Sequence, residues 1–533
     1  MICTSSMFQA PNSPGLDAES LVHVKVKLDD CIGNHQCEGP RNAELPMRLV
    51  DLKAWPKSPE RIRLVVTDEV LAVSHQTIDY VVLSYCWGTT TAFTTTPATL
   101  SSRLKGFDIA GMPRTLRDTV QVARNMGYRY LWIDALCILQ GSRQDTVAAA
   151  DWRYEAARMH WIYGNASLCI VAAGASNSDQ GLMHKDPRVI AEDEIAEWVG
   201  KGKIPIGCEP ISSRAWCFQE WLLSNRLLVF ASTGMYYTCD RYVLDTSDPD
   251  YGFRFPRSLQ EVAAMEDRGN RRYDSWQTMA MNFCGRSMTE PSDKLPALSG
   301  MAQRYASLMG WQPGDYLAGL WRRTLIGDLL WVREEGISSI SATPDPTKTG
   351  RQYGRAPSWS WASMDGSIMY LSLPGGYAPD IVRIQSCETV KPGVEDDPFG
   401  QVVSGHLDIV CPYMTLWARP MVQETGELYF QLFDAEGGFV SLLTVDDPAE
   451  MDASQTNVST RPQFQRDDSS HRNEGIMVHC LGLMVEQTPQ RRDGKIRWAG
   501  MAVRPLIDNS YARVGNFWIA GFKTVEQSRF LIV

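Results

Sequence analysis

Tyr80-Val-Val-Leu-Ser-Tyr85 and Tyr128-Arg-Tyr-Leu-Trp-Ile-Asp134 decide the fold. Each is a short, almost continuous apolar run, and the Cys86-Trp-Gly-Thr that follows the first breaks it. A strand apolar on both faces belongs inside a parallel sheet, and parallel neighbours need a crossover between them. The intervening sequence supplies one. Thr115-x-x-Asp118 reads as a capping box, and Leu116, Val120 and Ala123 mark a helix that stops at Gly127. Ala166-Ser-Leu-Cys-Ile-Val-Ala-Ala173 and Leu227-Leu-Val-Phe230 are the next strands. Between them and Asp134, a second helix is expected over about 148–163, with Trp152, Ala156, Met159 and Tyr163 on one face. The alternation predicts an α/β layer over 78–232, whose strands beginning at Tyr80, Tyr128, Ala166 and Leu227 share one mainly parallel sheet.

Outside this layer the text changes character. Residues 1 to about 45 are polar and read as irregular, so 1–77 is taken as an N-terminal extension. A middle region, 233–355, reads as helical, chiefly over about 256–333. Past Ala356-Pro-Ser-Trp-Ser-Trp-Ala362, short strands separated by Gly, Pro and Asp predict a β-rich region to 533. The stretch 447–474, rich in Asp, Ser, Gln and Arg, reads as a loop.

Composition narrows the function classes. With 52 basic and 62 acidic residues the net charge is −10, which argues against nucleic acid as a partner. No apolar run is long enough to span a membrane. The start, Met1-Ile-Cys-Thr-Ser-Ser-Met7, lacks the basic and apolar regions of a secretory signal. Thirteen cysteines sit mostly in apolar segments, the pattern of reduced, buried thiols in a cytoplasmic protein.

The blocks in order resemble the fungal heterokaryon incompatibility (HET) domain. They are Leu83-Ser-Tyr-Cys-Trp-Gly88, Pro113-Arg-Thr-Leu-Arg-Asp118, Tyr130-Leu-Trp-Ile-Asp-Ala-Leu-Cys-Ile-Leu-Gln140, Trp152-x-x-Glu155-x-x-x-Met159 with Tyr163-x-Asn-Ala166, and Arg214-Ala-Trp-Cys-Phe-Gln-Glu220. Asp293-Lys-Leu-Pro-Ala-Leu-Ser-Gly300 and Pro357-Ser-Trp-Ser-Trp-Ala362 look like blocks of longer HET proteins of filamentous fungi. One departure is the stretch Gly141-Ser-Arg-Gln-Asp145, which stands where the family usually has an acidic-aromatic pair. The resemblance implies a TIR/flavodoxin-like parallel sheet and a role in non-self recognition and programmed cell death. Its partners would be another copy of the chain or an allelic or non-allelic incompatibility partner. Some TIR domains cleave NAD with a helical glutamate, which makes NAD the substrate to consider and leaves no cofactor required. Some family members lie beside biosynthetic gene clusters, so a secondary-metabolism enzyme acting on an apolar small molecule is the competing expectation.

Six residues carry the candidate chemistry. Glu220 falls on the apolar face of its helix, and Trp216-Cys-Phe-Gln-Glu220 looks like the W-C-x-x-E stretch of the TIR glutamate. It is either that catalytic carboxylate or half of a buried ion pair with Arg214 or Arg226. Asp134 and Ser84 end their strands, where ligands of open parallel sheets collect, and both also suit capping of nearby amides. Trp87 and Trp132 would stack on a planar ligand or fill the core. Glu155, on the border of the second helix's apolar stripe, is the alternative carboxylate or an ion-pair partner. Cys86 and Cys137 have no histidine beside them and read as inert packing. Cys31-x-x-x-His35-x-Cys37 has metal-competent residue types but no second nearby pair, so no metal centre is expected.

Overall fold

A computed structural model describes residues 8–9, 16, 18–34, 37, 44–74, 78–88, 93–142, 144–183, 209–232, 234–239, 275–334, 350–371, 380–393, 397–422, 428–451, 476–485, 497–520 and 526–533. They fall into two compact units, one within 1–264 together with 296–308, the other within 265–295 and 309–533.

The first unit is built on a nine-stranded mixed sheet. Its strands in chain order are β1 (Phe8–Gln9), β2 (Arg48–Asp51), β3 (Arg61–Val66), β4 (Tyr80–Ser84), β5 (Phe107–Asp108), β6 (Tyr130–Trp132), β7 (Leu168–Ala172), β8 (Arg226–Ala231) and β9 (Gly234–Cys239). Their spatial order is β1-β9-β8-β7-β4-β6-β2-β3-β5. The middle four, β8-β7-β4-β6, are the strands expected from the sequence, and every neighbouring pair among them is parallel. All residues of β4, β6, β7 and β8 are buried, as strands covered on both faces must be. Antiparallel β2 and β9 flank this centre. Counted by first appearance, the parallel strands lie in the order 2-1-3-4, so the winding reverses between β4 and β7.

Among the described residues, the helices of this unit are α1 (Ala18–Asn34), α2 (Thr67–Ser74), α3 (Leu100–Lys105), α4 (Arg114–Asn125), α5 (Asp134–Cys137), α6 (Thr146–Ala156), α7 (Met159–Asn165) and α8 (Ala215–Leu223), together with nearly all of the helix Pro296–Met309. Three expectations need correction. The polar N-terminal stretch is not irregular throughout, because α1 buries Leu21, Val24, Leu28 and Cys31 at steps of three, four and three. The capping box at Thr115 does not form. The residue before α4 is Pro113, which has no capping side chain; Thr115 and Asp118 instead accept from the amides of Gly181 and Leu182 at 3.1 and 3.0 Å. The helix expected over 148–163 is two, α6 and α7, broken at Ala157–Arg158. There Arg158 donates to Leu45 O at 2.9 Å, and Glu155 accepts from the Met47 amide at 3.0 Å, so the break anchors the chain entering β2. Asp145, in the departing loop, caps α6 by accepting from Val147 and Ala148.

The second unit contains α9 (Ser275–Cys284), the short strands β10 to β13 (Tyr316–Leu317, Leu320–Trp321, Trp331–Arg333, Ile368–Tyr370) and a β-rich region. Among the described residues of the middle region, the helices Ser275–Cys284, Pro296–Met309 and Leu325–Asp328 alternate with turns and these short strands. The β-rich region holds eight strands: β14 (Arg383–Val390), β15 (Ser404–Val422), β16 (Leu428–Phe433), β17 (Phe439–Val445), β18 (Ile476–Val485), β19 (Arg497–Pro505), β20 (Tyr511–Ala520) and β21 (Glu526–Ile532). The long β15 pairs with both β16 and β18, so the path β15-β16-β17-β20-β19-β18 closes on itself. Alternate residues, among them Leu416, Ala418, Phe430, Leu432, Leu443 and Val445, fill its interior. Of the loop expected over 447–474, residues 448–451 form a 3-10 turn and 452–474 lie outside the described residues.

Beside this barrel lies a fully buried charge network. Asp446, after β17, accepts from Arg513 Nε at 2.8 Å and from an Arg351 guanidinium nitrogen at 3.1 Å. Arg351 also meets Glu450 at 2.7 Å, and Arg513 stacks 3.4 Å from the Trp331 ring centre. Removing the shared carboxylate strands buried guanidinium charge. Asp446→Ala is therefore expected to lose roughly 3–5 kcal/mol in chemical denaturation of the full chain; a loss below about 1 kcal/mol would show that the network contributes little.

Candidate active site at the ends of the parallel strands

Ser84 is the last residue of β4, and in the parallel register it lies beside Val171 of β7, at the point where the winding reverses. Its hydroxyl donates to Glu220 Oε2. Glu220 comes from α8, whose sequence Ala-Trp-Cys-Phe-Gln-Glu-Trp-Leu-Leu is apolar nearly all round, so all of the helix but the half-buried Trp216 and Trp221 is drawn inside with its carboxylate. Glu220 is only 5% exposed. Burial is the main cause that lifts its carboxyl to about 7; the Asp134 charge adds to this, and the Ser84 hydroxyl, Arg214 and Cys217 oppose it.

Asp134 follows β6 and opens the short α5. Its carboxylate accepts from the Trp87 indole nitrogen at 2.7 Å and from the Ala135 amide at 2.7 Å. The Tyr85 side chain also favours the ionised Asp134 carboxylate, and its ring stacks on Trp87 with centroids 6.5 Å apart. Burial raises the Asp134 carboxyl as well, against these donors. Trp87 takes this position because the chain turns sharply behind it. Gly88 has φ +78°, and a Cβ there would lie 2.4 Å from Asn177 Cβ. Tyr85, Trp87, Phe93, Thr94, Pro113, Leu116, Ala135 and Ser178 line a small cavity on this rim. Ser84 and Glu220 are outside its wall, one residue behind Tyr85 in the case of Ser84.

Four of the six expected residues thus gather in one place: Ser84, Trp87, Asp134 and Glu220. The other two are elsewhere. Trp132 is fully buried and packs edge-on against Tyr163 at 5.7 Å. Glu155 is fully buried on the Met47 amide, with Arg158 at 3.9 Å, which makes it an anchor for the chain before β2. Neither arginine proposed for Glu220 forms a close pair with it: Arg226 donates to Cys31 Sγ at 3.2 Å, and Arg214 donates to Tyr85 O at 3.3 Å while exerting a weaker, through-space pull. Cys86 and Cys137 are buried, and burial raises both thiols, the second to about 12. Tyr85 was not among the expected residues, although its place between Ser84 and the Trp-Gly turn was a signal.

The family model described as heterokaryon incompatibility protein (HET) matches residues 80–220, from the first residue of β4 to Glu220 itself. Residues 80–220 form a HET domain. No curated protein and no solved structure matches the chain. The HET blocks map onto the rim just described: Leu83–Gly88 supplies Ser84, Tyr85 and the Trp87 turn, Tyr130–Gln140 supplies Asp134, and Arg214–Glu220 supplies the buried carboxylate.

Burial of Glu220 has a stability consequence with a definite sign. Its folded pKa lies above the unfolded one, so the folded chain holds a proton that the unfolded chain releases. The stability tied to that proton is present below about pH 4.5 and is lost as pH rises to about 7. The loss is on the order of 3 kcal/mol. Glu220→Gln has no such proton. The stability of the variant relative to wild type should therefore rise by that order between pH 4.5 and 8, measured by urea denaturation; parallel pH profiles would refute the burial account.

Proposed function

We propose that this HET-domain protein is an incompatibility effector that promotes the death of cells formed by fusion of unlike partners, and that it does so by TIR-like cleavage of NAD. The observation that carries the reading is Glu220: a buried carboxylate bonded by Ser84, where parallel strands in the order 2-1-3-4 reverse their winding. That strand order is the flavodoxin-like one, in which ligands bind outside the carboxyl ends of the strands at the reversal. Trp216-Cys-Phe-Gln-Glu220 adds the W-C-x-x-E pattern of TIR enzymes.

In the proposed reaction the bond between C1′ of the nicotinamide ribose and the ring nitrogen breaks, and its electron pair leaves with nicotinamide. Positive charge develops at C1′ and is stabilised by ionised Glu220. Water adds at C1′ and releases one proton, giving ADP-ribose. The Ser84 hydroxyl fixes the orientation of the Glu220 carboxylate, and Asp134 stands by for ribose hydroxyls. Since Glu220 is nearly closed off from solvent, the Tyr85–Trp87 wall has to open to admit the sugar. Self-association of copies belongs to the same reading, as a means of holding the wall open.

Purified chain incubated with NAD should release nicotinamide, at a rate that rises as pH passes about 7 and Glu220 ionises. Glu220→Gln should lower that rate by about 100-fold or more while keeping a folded protein. Induced in a fungal host, wild type should stall growth and the variant should not. Absence of nicotinamide release, or full toxicity of the variant, would overturn the proposal.

A further inference from the structure

Three cysteines that are distant in sequence converge at the edge of the sheet. Cys31 lies in the last turn of α1, Cys37 just beyond it, and Cys239 at the end of β9. Their Sγ atoms all lie within 4.8 Å of one another. Cys31 and Cys239 have no exposed surface, and Cys37 is half-buried. We propose that Cys31, Cys37 and Cys239 bind one Zn²⁺ that clips α1 to β9.

The geometry suits a metal better than a disulfide. Zn–S bonds of about 2.3 Å place the sulfurs of a tetrahedral site about 3.8 Å apart. A small closure of the three thiols reaches that spacing. A disulfide requires about 2.05 Å between two sulfurs and leaves the third thiol over. Charge points the same way. Three thiolates and one divalent cation carry a net −1, which is costly to bury alone. Arg226 is itself buried at 3% exposure, and its Nε donates to Cys31 Sγ at 3.2 Å while its guanidinium also reaches Cys37 O at 3.5 Å. One guanidinium therefore neutralises the set and orients one sulfur from outside the coordination sphere. The clip would also serve the architecture. The buried stripe of α1 ends at Cys31, and β9 is the strand that carries the short edge strand β1. The clip is independent of any NAD chemistry, since none of its residues touches the Ser84–Glu220 rim.

The test uses the reduced full-length chain, stripped with a chelator and titrated with Zn²⁺ alone and, separately, with Co²⁺ alone. The expected results are one Zn²⁺ retained per chain, an intense thiolate-to-cobalt charge-transfer band, and a melting temperature raised by several degrees. Cys239→Ser should weaken Zn²⁺ binding on the order of 100-fold. Should that variant not fold, the cobalt spectrum of wild type still decides. Less than one Zn²⁺ per chain without a charge-transfer band, wild-type affinity in Cys239→Ser, or a Cys37–Cys239 disulfide in freshly purified protein would each overturn the proposal.

Discussion

A carboxylate drawn into the interior by an apolar helix is the constraint on which the arrangement of the first unit's rim depends. The sequence around Glu220 leaves α8 little polar surface, so the helix buries most of its residues and takes its charge with it. A buried carboxyl must either hold its proton or find donors. It finds the Ser84 hydroxyl, the terminal side chain of β4, and retains a proton up to about pH 7. Asp134 is the second carboxyl on the rim, and its charge helps to raise Glu220. Trp87 donates to Asp134 and, together with Tyr85, walls the adjoining cavity. One short run, Ser84 to Gly88, therefore serves both carboxylates and the barrier in front of them.

The second unit handles buried charge in the opposite manner. Asp446 and Glu450 pair closely with Arg351 and Arg513, and carbonyl groups take up further guanidinium hydrogens. Such a network fixes a geometry. At the Glu220 rim, burial favours the protonated carboxyl more strongly than the Arg214 charge opposes it, and no ion pair as close as those of the network is formed. That difference favours the rim over the larger network as the proposed reaction site.

The central parallel strands were legible because they are short, apolar on both faces and separated by a helix of clear period. Ser84, Trp87, Asp134 and Glu220 were legible for a related reason: each sits where a strand or an apolar helix ends in a polar group. What local sequence could not convey was what depends on contacts between distant segments. Thr115 and Asp118 look like a helix cap, yet the loop at Gly181–Leu182 claims both side chains. Arg226 looks like a partner for Glu220, yet α1 brings Cys31 to it. Cys239 gave no metal signal because its neighbours, Cys31 and Cys37, are about two hundred residues earlier. The α1 helix itself was readable in the spacing of Leu21, Val24, Leu28 and Cys31, and the polar residues between them obscured it. Strand positions in the second unit's barrel were foreseeable as β, whereas its closure rests on β15 pairing on both sides, which no local pattern encodes.

The central claim is that Ser84 holds a Glu220 carboxyl whose titration is set mainly by burial. Infrared difference spectroscopy of the protonated carboxyl band, assigned by its loss in Glu220→Gln, reads that titration directly. In wild type the band should disappear with a midpoint near pH 7. In Ser84→Ala, which removes the hydroxyl donor to the carboxylate, the midpoint should move upward. A wild-type midpoint in the ordinary range of an exposed glutamate, or a midpoint that Ser84→Ala leaves unchanged, would contradict the account.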